Sequence, residues 1–164
     1  MIIRDATLQD LPIIVSIYNS TIPTRLATAD LEPITTESRL GWFAQHDPSR
    51  RPLWVVENED QQVVAWMSFS NFTERAAYNI TAEIGIYIHS AFRGKGLGNM
   101  LMQHGIERAP SLGIEVLLGK VFDHNQASIS LFKKFGFEEW GNLPDVCILD
   151  GVYRGVLILG RRVG

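Results

Sequence analysis

The chain has 164 residues, enough for one domain that buries about two-thirds of its unfolded surface. Hydrophobic residues make up 46% and charged ones 20%, the balance of an ordinary globular protein. A net charge of −3 and a pI near 5.8 argue against a nucleic-acid-binding surface.

The opening "MIIRDATLQDL" carries charge where a signal peptide needs an apolar core, and it begins as a short strand. No apolar run approaches ~18 residues, so no membrane segment is expected and the cytoplasm is the expected location. Thr7 caps a helix, with Asp10 three residues on in an approximate capping box. Leu8, Leu11, Ile14, Val15 and Tyr18 recur at helical spacing, carrying that helix to about Ile22. A loop with Pro23 and Pro33 follows, then a short helix around "ESRLGWFAQ". "LWVVEN" and "QVVAWMSFSNF" flank "EDQQ" as an antiparallel hairpin. In "NITAEIGIYI", Ile80, Ala82, Ile84, Ile86 and Ile88 share one face, while Thr81, Glu83, Gly85 and Tyr87 share the other.

"SAFRGKGLGNML" joins that strand to a helix striped by Gly98, Leu101, Met102, Gly105, Ile106 and Ala109. "IEVLLGKVF" shows little alternation, as a strand covered on both faces does. "NQASISLFKKF" is a helix with Asn125 as N-cap and Gly136 as its stop. "FEEWGNL" and "CILDGVYRGVLILGRRV" end the chain as two strands. Cys147 in the second is the sole cysteine, which excludes an internal disulfide and a cysteine-built metal site. No repeat or linker divides the chain, so residues 1–164 are expected to form one domain, α/β or α+β, around a mixed sheet.

The glycine loop suits a phosphate. Backbone N–H groups at a helix start are unpaired and partially positive, and glycine lets an anion approach them. A plain turn with solvated cations would look the same in sequence. A Walker loop is excluded by spacing and by the missing hydroxyl, and a dinucleotide fingerprint would need glycine at Asn99. The pattern Arg/Gln-x-x-Gly-x-Gly/Ala is met by Arg93, Gly96 and Gly98.

With that pattern, and with "NQASISLFKKFGFEEWG" about thirty residues later, the chain resembles the GNAT superfamily of N-acetyltransferases. "IYNSTI", "ATADLEPITTESRLGWF", "FTERAAY" and "AEIGIYIHSAFRGKGLG" are similar to segments of its phosphinothricin acetyltransferase group, so the resemblance covers nearly the whole chain. It implies a GNAT fold, a mixed and mostly antiparallel central sheet of about seven strands flanked by about four helices. The implied reaction is acetyl-CoA-dependent acetylation of a small amino-acid-like amine, such as phosphinothricin or methionine sulfoximine. No metal is implied, and the expected assembly is a homodimer.

The resemblance assigns roles to matching positions. Ile86, Tyr87 and Ile88 would bond the pantetheine amides of acetyl-CoA through their backbone. Arg93, Gly94, Lys95, Gly96, Leu97, Gly98 and Asn99 would wrap its pyrophosphate, and Asn125 and Ser128 would touch the cofactor from the later helix; Lys134 would either reach a CoA phosphate or stand solvated at the helix C-terminus, where its charge is favourable. Gly85 falls among the substrate contacts. Many members have a tyrosine at the position of Phe132, as proton donor to the departing thiolate, and the phosphinothricin group often has histidine. Phenylalanine cannot donate, so either the thiolate leaves unaided or another group such as Tyr153 serves.

Amine attack on a thioester needs a base, because an α-amine is mostly protonated at pH 7. Glu83 stands on an otherwise apolar strand, where burial would raise its pKa toward the working pH; a carboxylate paired with Arg75 or another cation is the competing reading. Arg75 offers a planar fork for a substrate carboxylate, and Ala76 and Ala77 beside it would leave room for the ligand. A surface arginine beside Glu74 is the bland alternative. Acetylation of a protein N-terminus or a polyamine, or an acetyl-CoA-binding regulatory module without catalysis, remain the other functional readings. A polyamine pocket should carry several carboxylates, and only Glu83 and Glu74 are obvious.

Overall fold

The computed structural model describes residues 1–164. Seven strands form one sheet: β1 (Ile2–Asp5), β2 (Leu53–Glu57), β3 (Val63–Asn71), β4 (Thr81–Ile88), β5 (Val116–Phe122), β6 (Glu138–Leu149) and β7 (Val152–Arg162). Their order across the sheet is β1-β2-β3-β4-β5-β7-β6, and only the β4–β5 pair is parallel. Four α-helices accompany them: α1 (Leu11–Thr21), α2 (Leu40–Ala44), α3 (Leu97–Arg108) and α4 (Gln126–Lys134). A parallel pair needs a long crossover, and the chain between β4 and β5 supplies one with α3 inside it.

Alternation along the strands separates two apolar layers. On one face Met67, Phe69, Ala82 and Ile84 pack with Leu97, Leu101 and Met102 of α3 and with Ile129 and Phe132 of α4. On the other, Leu53, Val55 and Trp66 meet Ile14, Ile17, Tyr18 and Ile22, with Trp42 and Phe43 of α2 packed at the margin. Glu83, Gly85 and Tyr87 point to this second face, as the pattern of β4 predicts.

The start of α1 follows its sequence signal. The Thr7 N–H donates to Asp10 Oδ2 at 2.7 Å, and a single 3₁₀ turn (Leu8–Asp10) precedes the α-helix. Arg4 clamps the same carboxylate at 2.8 and 3.0 Å while its Nε donates to Glu57 at 2.8 Å. The N-terminal strand, β2 and α1 are thereby tied by one cation.

The C-terminal strands break elsewhere than expected. The sequence suggests a break between Leu143 and Cys147, around Pro144, but β6 runs through it with a register shift. Proline removes a ladder donor, and on this edge strand the loss is absorbed as a bulge with Asp145 at φ +49°. The actual turn is Asp150–Gly151, at φ +52° and +79°. Two successive positive φ angles match the right-handed strand twist, and Asp-Gly adopts them readily.

Candidate active site

Glu83 and Leu118 are the last partners of the parallel pair, which begins at Thr81 and Val116; beyond them β4 and β5 diverge. The Ile80 carbonyl accepts from Glu115 and Val116 of the β5 side, and the His89 N–H donates to the Val64 carbonyl of β3. Backbone direction alternates along a strand, so Ile86 and Ile88 turn their N–H and C=O groups into the gap. The Tyr87 backbone instead faces its register partner Trp66 on β3. Of the three residues expected to hold pantetheine through their backbone, two are aimed at the gap, and Tyr87 offers it only a side chain.

A cavity of about 650 Å³ fills this gap, with Arg93 and Gly94 at the end of β4 and Asn125, Ser128 and Phe132 across from it. Gly94 and Gly96 lie at φ +73° and +80°, where a β-carbon would strain the backbone although space for one is open. Gly96 is the N-cap of α3 and brings no capping side chain, so the N–H groups of Leu97, Gly98 and Asn99 are left for an anion. Lys95 lies over the Phe92 ring, 4.9 Å from its centroid. Lys134 donates to Asn99 Oδ1 at 2.8 Å, joining the end of α4 to the start of α3. These features fit a pyrophosphate with an extended arm behind it. The thioester of acetyl-CoA would be the activated acyl group such a cleft delivers.

Asn125 caps α4 by accepting the Ser128 N–H at 3.2 Å. Its amide hydrogens go to the Leu26 carbonyl and Ser128 Oγ, both at 3.1 Å. Asn125 therefore lines the cleft with only acceptor capacity to spare. Phe132 is 6% exposed, with its ring against Gly119 and edge-on to Phe137. Tyr153, the second residue of β7, is 63% exposed and lines neither the cleft nor the smaller cavity, so it offers the cleft no proton within this chain.

A second cavity, of about 200 Å³, opens on the α1/α2 face. Its walls include Tyr18, Arg39, Trp42, Trp66, Ser68 and Ser70, and it shares Glu83, Ile84, Gly85 and Tyr87 with the larger cleft. Tyr87 stacks on Trp66 at 4.5 Å between centroids, and Trp42 meets the same indole edge-on at 5.4 Å. The Trp66 Nε1–H donates to Ile14 O at 3.1 Å and the Tyr87 hydroxyl to Ala27 O at 3.3 Å. Burial pushes the Tyr87 phenol above its ordinary pKa, and does the same to Tyr18, whose hydroxyl also donates to Asp30. Both rings thus stay neutral in the physiological range.

Glu83 sits at the junction of the two cavities. Its side chain is 31% exposed and Oε2 lies 3.3 Å from Lys120 Nζ. This corrects the expected apolar burial: the carboxylate is wet, and it faces another cation than Arg75, Lys120 of β5, as the competing reading allows. Arg75, Ala76 and Ala77 form an exposed turn before β4 and line neither cavity, contrary to the expected shared pocket. The Arg75 guanidinium has no hydrogen-bond or ion-pair partner in the chain. The cation in the smaller cavity is Arg39, 3.4 Å from Asp30 Oδ2. Neither Arg39 nor Lys120 stands out in sequence, although Lys120 is the single charge inside "VLLGKVF", the same kind of signal that marks Glu83.

The geometry is that of two chambers meeting at one carboxylate, one with an anion cradle and one with aromatic walls. A profile of the Acetyltransferase (GNAT) family matches residues 14–137. The chain is 49% identical over 163 residues, 99% of each protein, to "Putative phosphinothricin acetyltransferase YwnH" of Bacillus subtilis (strain 168). It is 33% identical over 144 residues to the L-methionine sulfoximine/L-methionine sulfone acetyltransferase of Pseudomonas paraeruginosa, covering 88% of this chain and 84% of that one. A phosphinothricin acetyltransferase from Sinorhizobium meliloti, solved in complex with acetyl-CoA, superimposes with a TM-score of 0.93 at 26% identity, over 99% and 88% of the two chains. The chain belongs to the GNAT family of acetyltransferases.

Proposed function

We propose that the protein transfers the acetyl group of acetyl-CoA to the amine of a small amino-acid-like compound of the phosphinothricin or methionine sulfoximine kind. The observation that carries this is the meeting of the two cavities at Glu83, Gly85 and Tyr87. Acetyl-CoA enters the cleft between β4 and β5, its pyrophosphate on Arg93 to Asn99 and its arm along Ile86 and Ile88. The amine enters the aromatic cavity. Glu83 takes the amine proton, directly or through a water that its exposure admits, and the nitrogen attacks the thioester. An N–H of β4 directed into the gap receives the oxyanion as it forms.

The small cavity favours a small acceptor over a peptide. Glu83 is its only carboxylate, which disfavours a polyamine, and Arg39 gives a carboxylate a partner. Arg75 is a second candidate for that clamp, favoured by its unpartnered guanidinium. A homodimer is supported by exposed apolar side chains gathered on the β6–β7 hairpin: Trp140, Leu143, Val146, Ile148, Val152 and Tyr153. The lone Cys147 suits a reducing compartment, and we place the reaction in the cytoplasm.

Thiol release from acetyl-CoA tests the reading across a panel of amino acids, a polyamine and a short peptide. Turnover confined to small amino acids is the expected result; turnover with the peptide or polyamine alone would replace the acceptor class.

A further inference from the structure

The cleft holds two cations, and they stand in different places. Arg93 belongs to the glycine turn beyond the end of β4, while Lys120 lies on β5 two residues past the last paired position. Its side chain projects to the same face as that of Leu118, the register partner of Glu83, and so reaches across the mouth of the splay. There Nζ lies 3.3 Å from Glu83 Oε2. An ion pair with 50% and 31% exposed side chains contributes little to stability, because water screens both charges. A lysine inside an apolar strand, lining the larger cleft beside the carboxylate where the two cavities meet, needs another explanation. The hydrophobic ring of Phe132 occupies the same cleft and brings no proton, and Tyr153 lies outside it.

We propose that Lys120 serves the leaving group: its ammonium neutralises the departing CoA thiolate and gives it a proton. The inference rests on the acetyl-transfer reading above. Glu83, open to solvent at 31% exposure, passes the ammonium proton to water; the freed nitrogen then bonds to the acetyl carbon and releases its second proton to Glu83. The carbon–sulfur bond breaks with its electron pair on sulfur. Lys120 protonates that sulfur, and the proton on Glu83 returns to Lys120 across the 3.3 Å contact. The net change sends one ammonium proton to solvent and the second to the CoA thiol and restores both side chains, with no further reactant. The other titratable groups lining the cleft are Glu83, Arg93 and the Tyr87 phenol.

The direct test reads the thiol itself, without turnover. Ultraviolet absorbance of CoA bound to the protein is titrated against pH, with desulfo-CoA as the blank, in the wild type, Lys120→Met, Lys120→Gln and Lys120→Arg. The bound thiol should ionise at least about one pH unit higher in the two neutral variants than in the wild type, a tenfold change in its equilibrium. Lys120→Arg should keep the wild-type ionisation, because the charge remains. In turnover, the neutral variants should lose roughly 10²-fold in kcat with acetyl-CoA KM little changed. Lys120→Arg should stay slow as well, because a guanidinium does not release a proton. Equal thiol ionisation in wild type and both neutral variants overturns the proposal alone, as does a loss confined to CoA affinity. Failure of the wild type to bind CoA overturns the acetyl-transfer reading and this proposal together.

Discussion

The Arg39 guanidinium lies over the ring of Tyr18, 5.1 Å from its centroid, with Asp30 Oδ2 at 3.4 Å on another side. The cation is thus aimed before any ligand arrives. Its orientation is set by α1 and by the loop before α2, and pre-aimed charge costs less to use than a free side chain.

Arg39→Ala should raise KM for an amino-acid acceptor by roughly 30- to 1000-fold, the loss of a charge-assisted pair worth about 2–4 kcal/mol. The effect should fall on KM, because the carboxylate is equally charged in ground and transition states. An amine without the carboxylate should react no worse with the variant than with the wild type. Arg75→Ala is measured beside it. If Arg75→Ala shows that signature and Arg39→Ala does not, the clamp moves to the exposed turn.

The glycine turn gives a second test. Acetyl-CoA should raise the melting temperature of the wild type by several degrees at saturating concentration, since it binds only the folded state. Gly96→Asp should abolish that rise, because it sets a carboxylate where the N–H groups of α3 await an anion. Gly96→Ala, strained at φ +80°, should cost about 1–2 kcal/mol of stability but keep part of the ligand-induced rise. A full rise retained in Gly96→Asp would reduce the loop to a turn.

How this turn could be read in advance, and Arg39 could not, follows from the range of the forces involved. Gly94, Gly96 and the Asn125 cap answer to bonds within a few residues, so spacing alone exposes them. The face of β4 that carries Glu83, Gly85 and Tyr87 follows from strict alternation over eight residues. Arg39 joins the site only because α2 packs Trp42 against Trp66, a contact 24 residues apart that no local pattern records. Lys120 meets Glu83 because β4 and β5 part after one short ladder, a property of sheet twist and crossover packing. Near the C-terminus the strand boundary falls at Asp150–Gly151, whose positive φ angles make the turn, and not in the segment before Cys147.

The Arg4–Asp10 pair predicts a pH dependence of stability. Hydrogen bonds from Arg4 hold the Asp10 carboxyl below its usual pKa, helped by the Thr7 N–H against the opposing effect of burial. A group depressed in the folded state contributes stability above its unfolded pKa, about 3.9, and that stability is lost as pH falls through the lower folded value. Asp10→Asn should therefore destabilise the protein by about 1–3 kcal/mol at pH 7, and the gap to the wild type should narrow below about pH 4. Urea denaturation at a series of pH values reads both. A gap that is constant with pH would mean the charge contributes nothing.

In the proposed reaction Glu83, where the two cavities meet, accepts the proton that frees the amine. The most direct measurement is single-turnover acetyl transfer from acetyl-CoA to methionine sulfoximine or phosphinothricin, wild type against Glu83→Gln, with the N-acetyl product identified by mass. Product and free thiol should appear in equal amounts, with the rate in Glu83→Gln lower by roughly 10²–10³ at unchanged acetyl-CoA affinity. Equal rates in the two proteins, or thiol release without an N-acetyl product, would contradict it.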